Sequence, residues 1–421
     1  MYQKNVLDNG LRVVTTGMPH TRSVGVAILT GVGSRYEGDR ERGISHFIEH
    51  MMFKGTPRRP TAQHIAEAIE GLGGVINAST DSEVTTYWAK VAHHHLPFAL
   101  DVLVDMFRNS MFDPQEIDKE REVIIQEICR MMDMPESWVH SLIGEVLWPN
   151  HPVGWDTAGT RESVTGITRQ DILDYIDRGY LPRNTVISLA GNLDADRVTE
   201  QINQALGSWK SAPAPEFIAA ADPAPGPSWR IEFRETEQTH LCLAVRGLPA
   251  NHPERFTLRI LNVLLGEGMS SRLFLEIREK RGLAYSVGSY TSSLRDTGAM
   301  VLYAGVPPQK AGDVVTAMLE QLDLLKAKEA PAAEVIKAKE FTKGRILLRM
   351  EDTFANAAWF GQQEVLDQPV LTVDQVVQYL DAVTAADIQQ MAQRLFSRDA
   401  LNLAIIGPFK DELAFADRLQ L

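Results

Sequence analysis

The sequence predicts an α+β protein of two related domains, each a mostly antiparallel sheet with helices packed on one face. Three observations carry this expectation. The chain has 421 residues, more than one hydrophobic core normally organises. One proline-dense stretch, WKSAPAPEFIAAADPAPGPSW (209–229), contains Pro213, Pro215, Pro223, Pro225 and Pro227. Proline removes backbone donors and forbids helix, so this stretch reads as extended and semi-rigid. The segments on either side of it read as weak copies of one another. The expected division is therefore residues 1–210, a linker over 211–229, and residues 230–421. Two halves joined by a stiff linker suggest a clamshell.

Each element has a local reason. Asn9-Gly10 between Val6-Leu7 and Leu11–Val14 is a strong hairpin signal. AEAIEGLGGVINASTDSEVTTYWAKV (66–91) reads as helix end, turn, strand, turn and strand, with Thr80-Asp81-Ser82 as the second turn. EIREKRGLAYSVGSYTSSLRDTGAMVLYAGV (276–306) repeats that order, with Arg295–Gly298 as its turn. Each half also ends alike, in NTVISLAGNLDADRVTEQINQAL (184–206) and DALNLAIIGPFKDELAFADRL (399–419). Both read as an apolar strand, a turn at glycine and a helix. Helical periodicity is strong in 64–72, 97–109, 171–181, 253–265 and 313–328. Strands followed by long helices in both halves favour α+β layering.

Composition excludes some functions. Hydrophobic residues make up 44% and charged residues 23%, the balance of an ordinary globular protein. The net charge of −13 argues against nucleic acid as a main partner, because phosphate binding needs a basic face. Cys129 and Cys242 match no paired spacing and suit a reducing compartment. No apolar run approaches the roughly 18 to 20 residues of a membrane span, and no secretory pattern opens the chain. A cytoplasmic protein that needs no membrane is the expectation.

GISHFIEHMMFKGT (43–56) carries the chemistry. On a helix, His46 and His50 differ by about 40° around the axis, so both imidazoles reach one point. Glu49 lies near the same side, which makes the run an HxxEH pattern. Two neutral histidines hold zinc only with a third protein ligand, and the carboxylate of Glu49 is placed to act as general base. The third ligand is expected from DPQEIDKEREVIIQEICRMM (113–132). Asp113 reads as its N-cap, Pro114 as its first helical residue and Glu116 as the partner in a capping box. Glu120 and Glu127 are seven apart, about 20° from overlap on one face. Glu127 sits among Ile124, Ile125, Ile128 and Cys129, an apolar setting in which a carboxylate needs a cation. It is the candidate third ligand, and Glu120 the candidate hydrogen-bond partner of a ligand histidine. The bland alternative is an amphipathic helix with a Glu–His pair and a solvated Glu127. His93-His94-His95 reads as a solvated lead into a helix, and GEGMSSR (266–272) lacks the Lys-Ser/Thr of a phosphate loop.

With these residues in place, the sequence resembles the inverted-zincin metallopeptidases, the family of pitrilysin, insulysin and the mitochondrial processing peptidase. HFIEH, MMFKGT and EREVIIQEI carry the likeness, joined by GLGGVINASTD (71–81), HPVGWDTAGT (151–160) and LGEGMSSRLFLEIREKRGLAYSV (265–287). It looks like the short bacterial subgroup with two domains per chain. The resemblance implies one zinc ion per chain held by His46, His50 and Glu127, with Glu49 activating the water and Glu120 supporting the metal. It implies that Arg278 and Tyr285 match the family's Arg/Tyr pair, Tyr285 stabilising the oxyanion and Arg278 holding a substrate carbonyl or carboxylate. It also implies that the strand around Asn77, Ala78 and Ser79 takes an extended peptide as an added strand. The implied activity is a zinc endopeptidase cleaving short or unfolded peptides in a chamber, in a bacterial cytoplasmic homodimer. Two rivals stand beside it. One is a non-catalytic member acting as a partner or core subunit. The other is a structural zinc protein, which would normally close its site with four protein ligands.

Overall fold

The computed structural model describes residues 2–221, 226–411, 413 and 415–420. Pro223 and Pro225 of the proline-dense stretch lie outside the described residues. The chain forms two compact units, each built on one sheet.

The first sheet has six strands: β1 (Tyr2–Val6), β2 (Arg12–Gly17), β3 (Ser23–Thr30), β4 (Val75–Thr80), β5 (Thr85–Ala92) and β6 (Thr185–Gly191). Their order is β1-β2-β6-β3-β5-β4, antiparallel throughout except for the parallel β2–β6 pair. The hairpin expected at Asn9-Gly10 joins β1 to β2, with Gly10 at φ +89°, a conformation that glycine adopts without strain. The second sheet has five strands: β7 (Ser228–Phe233), β8 (Thr239–Arg246), β9 (Ser286–Ser293), β10 (Gly298–Val306) and β11 (Asn402–Gly407). Its order is β7-β11-β8-β10-β9, with only β7–β11 parallel. Removing β1 makes the two topologies identical, which is the internal duplication the sequence suggested. β4 and β9 are the corresponding edge strands.

Alternation along β3 explains the layering of the first unit. Val24, Val26 and Ile28 point into a large core with Phe47, Ile48, Leu103 and Ile124 from the helices. Ala27 and Leu29 point the other way, into a second core with Phe360 and Val365. Both faces are therefore covered, and β3 is buried along nearly its whole length.

The second face is covered by a helix from the far half of the sequence. Thr353–Val365 lies on β2, β3 and β6. The approach is close: a Cβ on Gly25 would stand 2.6 Å from the Phe354 Cα, and one on Gly361 2.6 Å from Leu29 Cδ1. Ser188 Oγ donates to the Ala357 carbonyl at 2.6 Å. The second unit is built reciprocally. Its sheet is covered by Pro135–Leu147, whose Val139, Leu142 and Ile143 pack on Cys242, Ala244, Val301 and Ile406. The compact units thus depart from a simple cut at the linker. Residues 130–154 join the second unit and 347–371 join the first. The physical reason is that each sheet has two apolar faces, and its own half of the sequence supplies the main helical layer to only one. Among the described residues, no helix is long and apolar enough to cross a membrane.

Candidate metal centre

The helix Ile44–Met51 is set by its start. Gly43 has φ +88°, and a Cβ there would stand 2.5 Å from the Ala158 carbonyl oxygen, so the position requires glycine. The carboxylate of Glu37 accepts from the N–H of Gly43 at 2.7 Å and of Ser45 at 2.9 Å, satisfying two donors at the helix N-terminus. Ile44, Phe47, Ile48 and Met51 are buried and fix the rotation of the helix. His46 and His50, four apart, consequently share its partly open side.

Their Nε2 atoms are 3.1 Å apart. Oε2 of Glu127, from the helix Pro114–Met132, is 3.6 Å from His50 Nε2 and 3.9 Å from His46 Nε2. Bonds of about 2.0–2.1 Å to a tetrahedral ion would give ligand–ligand edges of about 3.3–3.4 Å. The observed triangle brackets that length, so this donor set fits zinc. Nδ1 of His46 is buried and has no hydrogen-bond partner among the described residues. Burial, with His50 adding to it, holds His46 down to about 4, so it is neutral at ordinary pH and free to bind metal through Nε2. Among the described residues, these three form the only cluster of metal-ligating side chains. Cys129 is not part of it.

The two glutamates of Pro114–Met132 exchange the environments expected of them. The side chain of Glu127 is 48% exposed, because Ile124, Ile125 and Ile128 turn into the core while Glu127 turns out beside the histidines. The buried carboxylate is Glu120, at 8%. Glu120 Oε1 lies 2.8 Å from Nδ1 of His50, and its other oxygen pairs with Lys54. Burial opposes the negative charge of Glu120, but hydrogen bonds from His50 and Lys54 outweigh it and hold the carboxyl below its usual range. Asp113 caps the helix as expected, accepting from the N–H of Gln115 and Glu116. The Glu116 side chain does not complete a capping box; it binds Lys119 at 2.6 Å, because an exposed lysine one turn on is the nearer charge.

Glu49 lies beside the cluster. Its Oε2 accepts from the Thr80 hydroxyl at 2.5 Å. Burial raises its pKa, the Thr80 hydrogen bond and the His50 charge oppose that rise, and Glu127 adds to it. Thr80 ends β4, the outermost strand of its sheet. Along that strand the Asn77 Oδ1 accepts from the Ala78 N–H at 2.8 Å, so a side chain occupies this N–H. Ser79 pairs with Thr86 of β5.

Arg278 and Tyr285 lie together in the second unit. Arg278 donates from Nη1 to the Tyr285 carbonyl at 2.8 Å, and its guanidinium stacks 4.6 Å from the Tyr285 ring and 4.9 Å from Phe274. Arg278 sits in a wide helical turn, Phe274–Lys280, in which the Arg281 N–H reaches back to the Glu276 carbonyl. Such turns are rare and recur at functional sites. The pair lines a cavity of about 720 Å³ with His140, Ser289, Tyr290 and Tyr303. The Tyr285 side chain is strongly exposed. His93–His95 forms a short turn leading into Leu96–Asn109 and lies outside the metal cluster.

Three site residues were not singled out from sequence. Lys54 follows His50 by four, a spacing that could have flagged it. Glu37, acidic and just ahead of a helix, carried a cap-like signal. Thr80, expected in a turn, instead ends β4 paired with Thr85, and it gave no signal because its partner Glu49 lies on a separate element.

A family model described as insulinase (peptidase family M16) matches residues 12–161, which contain the whole metal cluster. A second, described as the peptidase M16 inactive domain, matches residues 166–341. The chain belongs to peptidase family M16. A Bacillus subtilis (strain 168) relative named uncharacterized zinc protease YmxG is 37% identical over 97% of this chain and 98% of its own. An uncharacterized zinc protease of Streptomyces coelicolor is 36% identical over 98% of this chain and 91% of its own. Among solved structures, a protease from Helicobacter pylori superposes with a TM-score of 0.92 at 24% identity, covering 97% of this chain and 99% of that one; it speaks to the fold. The M16 fold accounts for both sheet-plus-helix units, and the pattern HxxEH falls in the half whose model is not called inactive.

Proposed function

We propose that this M16 protein is a zinc-dependent endopeptidase acting on short or unfolded peptides. The observation that carries the reading is the convergence of His46 Nε2, His50 Nε2 and a Glu127 oxygen, with Glu49 near enough for His50 and Glu127 to shift its carboxyl. Relatives named zinc proteases over the full chain length support it. His46, His50 and Glu127 would hold the zinc. When bound, zinc supplies Lewis acidity that polarises a scissile carbonyl and acidifies a water. Glu49 takes a proton from the attacking water and passes it to the leaving amine. Burial pushes its pKa up, towards the range in which a carboxylate works as a base near neutral pH. Glu120 orients His50 through Nδ1, and Lys54 keeps Glu120 ionised. β4 is the outermost strand of its sheet, so an extended peptide could add beside Asn77, Ala78 and Ser79 once the Asn77 side chain releases the Ala78 N–H, a backbone mode that favours broad sequence tolerance. The exposed phenol of Tyr285, with Arg278 stacked on its ring, is assigned to substrate binding as a hydrogen-bond donor.

The test is cleavage of a quenched-fluorophore peptide panel by the zinc-loaded protein beside Glu49→Gln. Turnover is expected to fall by roughly 10²–10⁴-fold in the variant while zinc stays bound. Equal inactivity of both zinc-loaded proteins would favour a non-catalytic partner subunit. Equal cleavage by both would remove Glu49 as the base.

A further inference from the structure

We infer that Thr80 is a positioning residue for Glu49: its hydroxyl, fixed at the end of the edge strand β4, holds one carboxylate oxygen so that the other is aimed at the attacking water. This rests on the peptidase reading above and deepens it.

A glutamate reaches its target through three rotatable bonds, and a base that must meet a water within hydrogen-bond distance loses rate when it wanders. Something has to fix it. The helix backbone fixes only its Cα. Among the described residues, the Thr80 hydroxyl is the one hydrogen-bond partner of the Glu49 side chain. At 2.5 Å it is a short, charge-assisted bond. Being a donor to Oε2, it occupies that oxygen and leaves Oε1 for the reaction.

The hydroxyl is itself well anchored. Thr80 pairs with Thr85 in the β4–β5 ladder, and the Thr85 hydroxyl donates to the buried Val32 carbonyl at 3.0 Å. Threonine is branched at Cβ, so its χ1 is stiff in a strand. Thr80 also continues the strand that carries Ala78 and Ser79. A peptide added to β4 would therefore be registered against the same strand that aims the base. Strand and base are 31 residues apart in sequence, and the hydroxyl joins them.

The variants are Thr80→Val, which keeps shape and strand propensity without the hydroxyl, and Thr80→Ser, which keeps the hydroxyl. Zinc content and thermal midpoint are measured on both as controls. With the zinc-loaded enzyme, Thr80→Val is expected to lower kcat by about 10- to 100-fold with KM essentially unchanged, and Thr80→Ser to recover most of it. A second readout needs no activity. In crystals of the metal-free protein, Glu49 should occupy one conformer in wild type and Thr80→Ser, and several in Thr80→Val. Wild-type kcat in Thr80→Val, equal losses in Val and Ser, or a single unchanged Glu49 conformer in Thr80→Val would each overturn the inference. Absence of any cleavage by wild type would instead overturn the peptidase reading, and the Glu49 conformers would still decide the role of Thr80.

Discussion

Replacing Glu120 by glutamine keeps the shape of the side chain and removes the charge that joins His50 to Lys54. In the native site one oxygen meets His50 Nδ1 at 2.8 Å and the other pairs with Lys54. A glutamine offers one acceptor and one NH₂ group. Whichever way it turns, one of the two donors faces another donor. The Glu120 side chain is 8% exposed, so water has little room to replace the lost acceptor. A hydrogen bond to a charged group contributes about 1.5–3 kcal/mol. Loss of such support behind a ligand histidine typically weakens metal binding about 10- to 100-fold, or roughly 1.4–2.7 kcal/mol. The two routes agree in size. Zinc affinity is measured by chelator competition at fixed pH, and the thermal midpoint is compared with and without zinc, because a ligand stabilises the native state in proportion to its binding. Glu120→Gln should lose zinc affinity by that factor and, with zinc in excess, about 1.4–2.7 kcal/mol of the zinc-dependent stability, read as a smaller zinc-induced rise in the midpoint. Unchanged affinity would refute the reasoning. So would a midpoint drop of equal size in the loaded and metal-free forms, since Glu120 would then support the fold and not the metal.

Burial raises the Glu37 carboxyl to about 7, against the N–H groups of Ser45 and Gly43, which favour its ionised form. The native state therefore keeps a proton that the unfolded chain releases near its ordinary value. The sign follows: stability contributed by Glu37 is present on the acid side and is lost as pH rises from about 4.5 to about 7, by up to roughly 3 kcal/mol. Thermal midpoints of the metal-free protein between pH 5 and pH 8 should fall more steeply for wild type than for Glu37→Gln; parallel curves would contradict the assignment. Gly25→Val places side-chain atoms where a Cβ alone would stand 2.6 Å from the Phe354 backbone. It should destabilise the protein by about 1–3 kcal/mol or more, read as a lower urea midpoint, while the same change at Gly17, which has open space, should have a smaller effect.

Much of the fold was legible because its signals are local. The hairpin at Asn9-Gly10, the repeated strand–turn–strand segments and the Asp113 cap each depend on residues a few positions apart. The His46–Glu49–His50 spacing was readable for the same reason, since helix geometry alone brings i and i+4 to one side. Flanking isoleucines do not bury Glu127: helix rotation buries Ile124, Ile125, Ile128 and Glu120, and leaves Glu127 half exposed beside the histidines. β3 did carry a sign of the exchanged helices. Its unbroken run SVGVAILT is what a strand covered on both faces looks like, although nothing in the run says what covers the second face.

Read alone, the sequence locates the N-terminal hairpin, the repeated strand–turn–strand segments and the late strand of each half, the pair of histidines that can share an ion, and the duplication of the chain. These rest on periodicities of two and of 3.6 residues, which the backbone imposes wherever the segment sits. Long-range packing alone sets Thr353–Val365 on the first sheet and Pro135–Leu147 on the second, buries Glu120 and brings the Thr80 hydroxyl to Glu49. Periodicity names the face a side chain takes and is silent on what lies opposite. That partner is fixed by packing between segments far apart in the chain, where shape and burial select one contact among many of equal local merit.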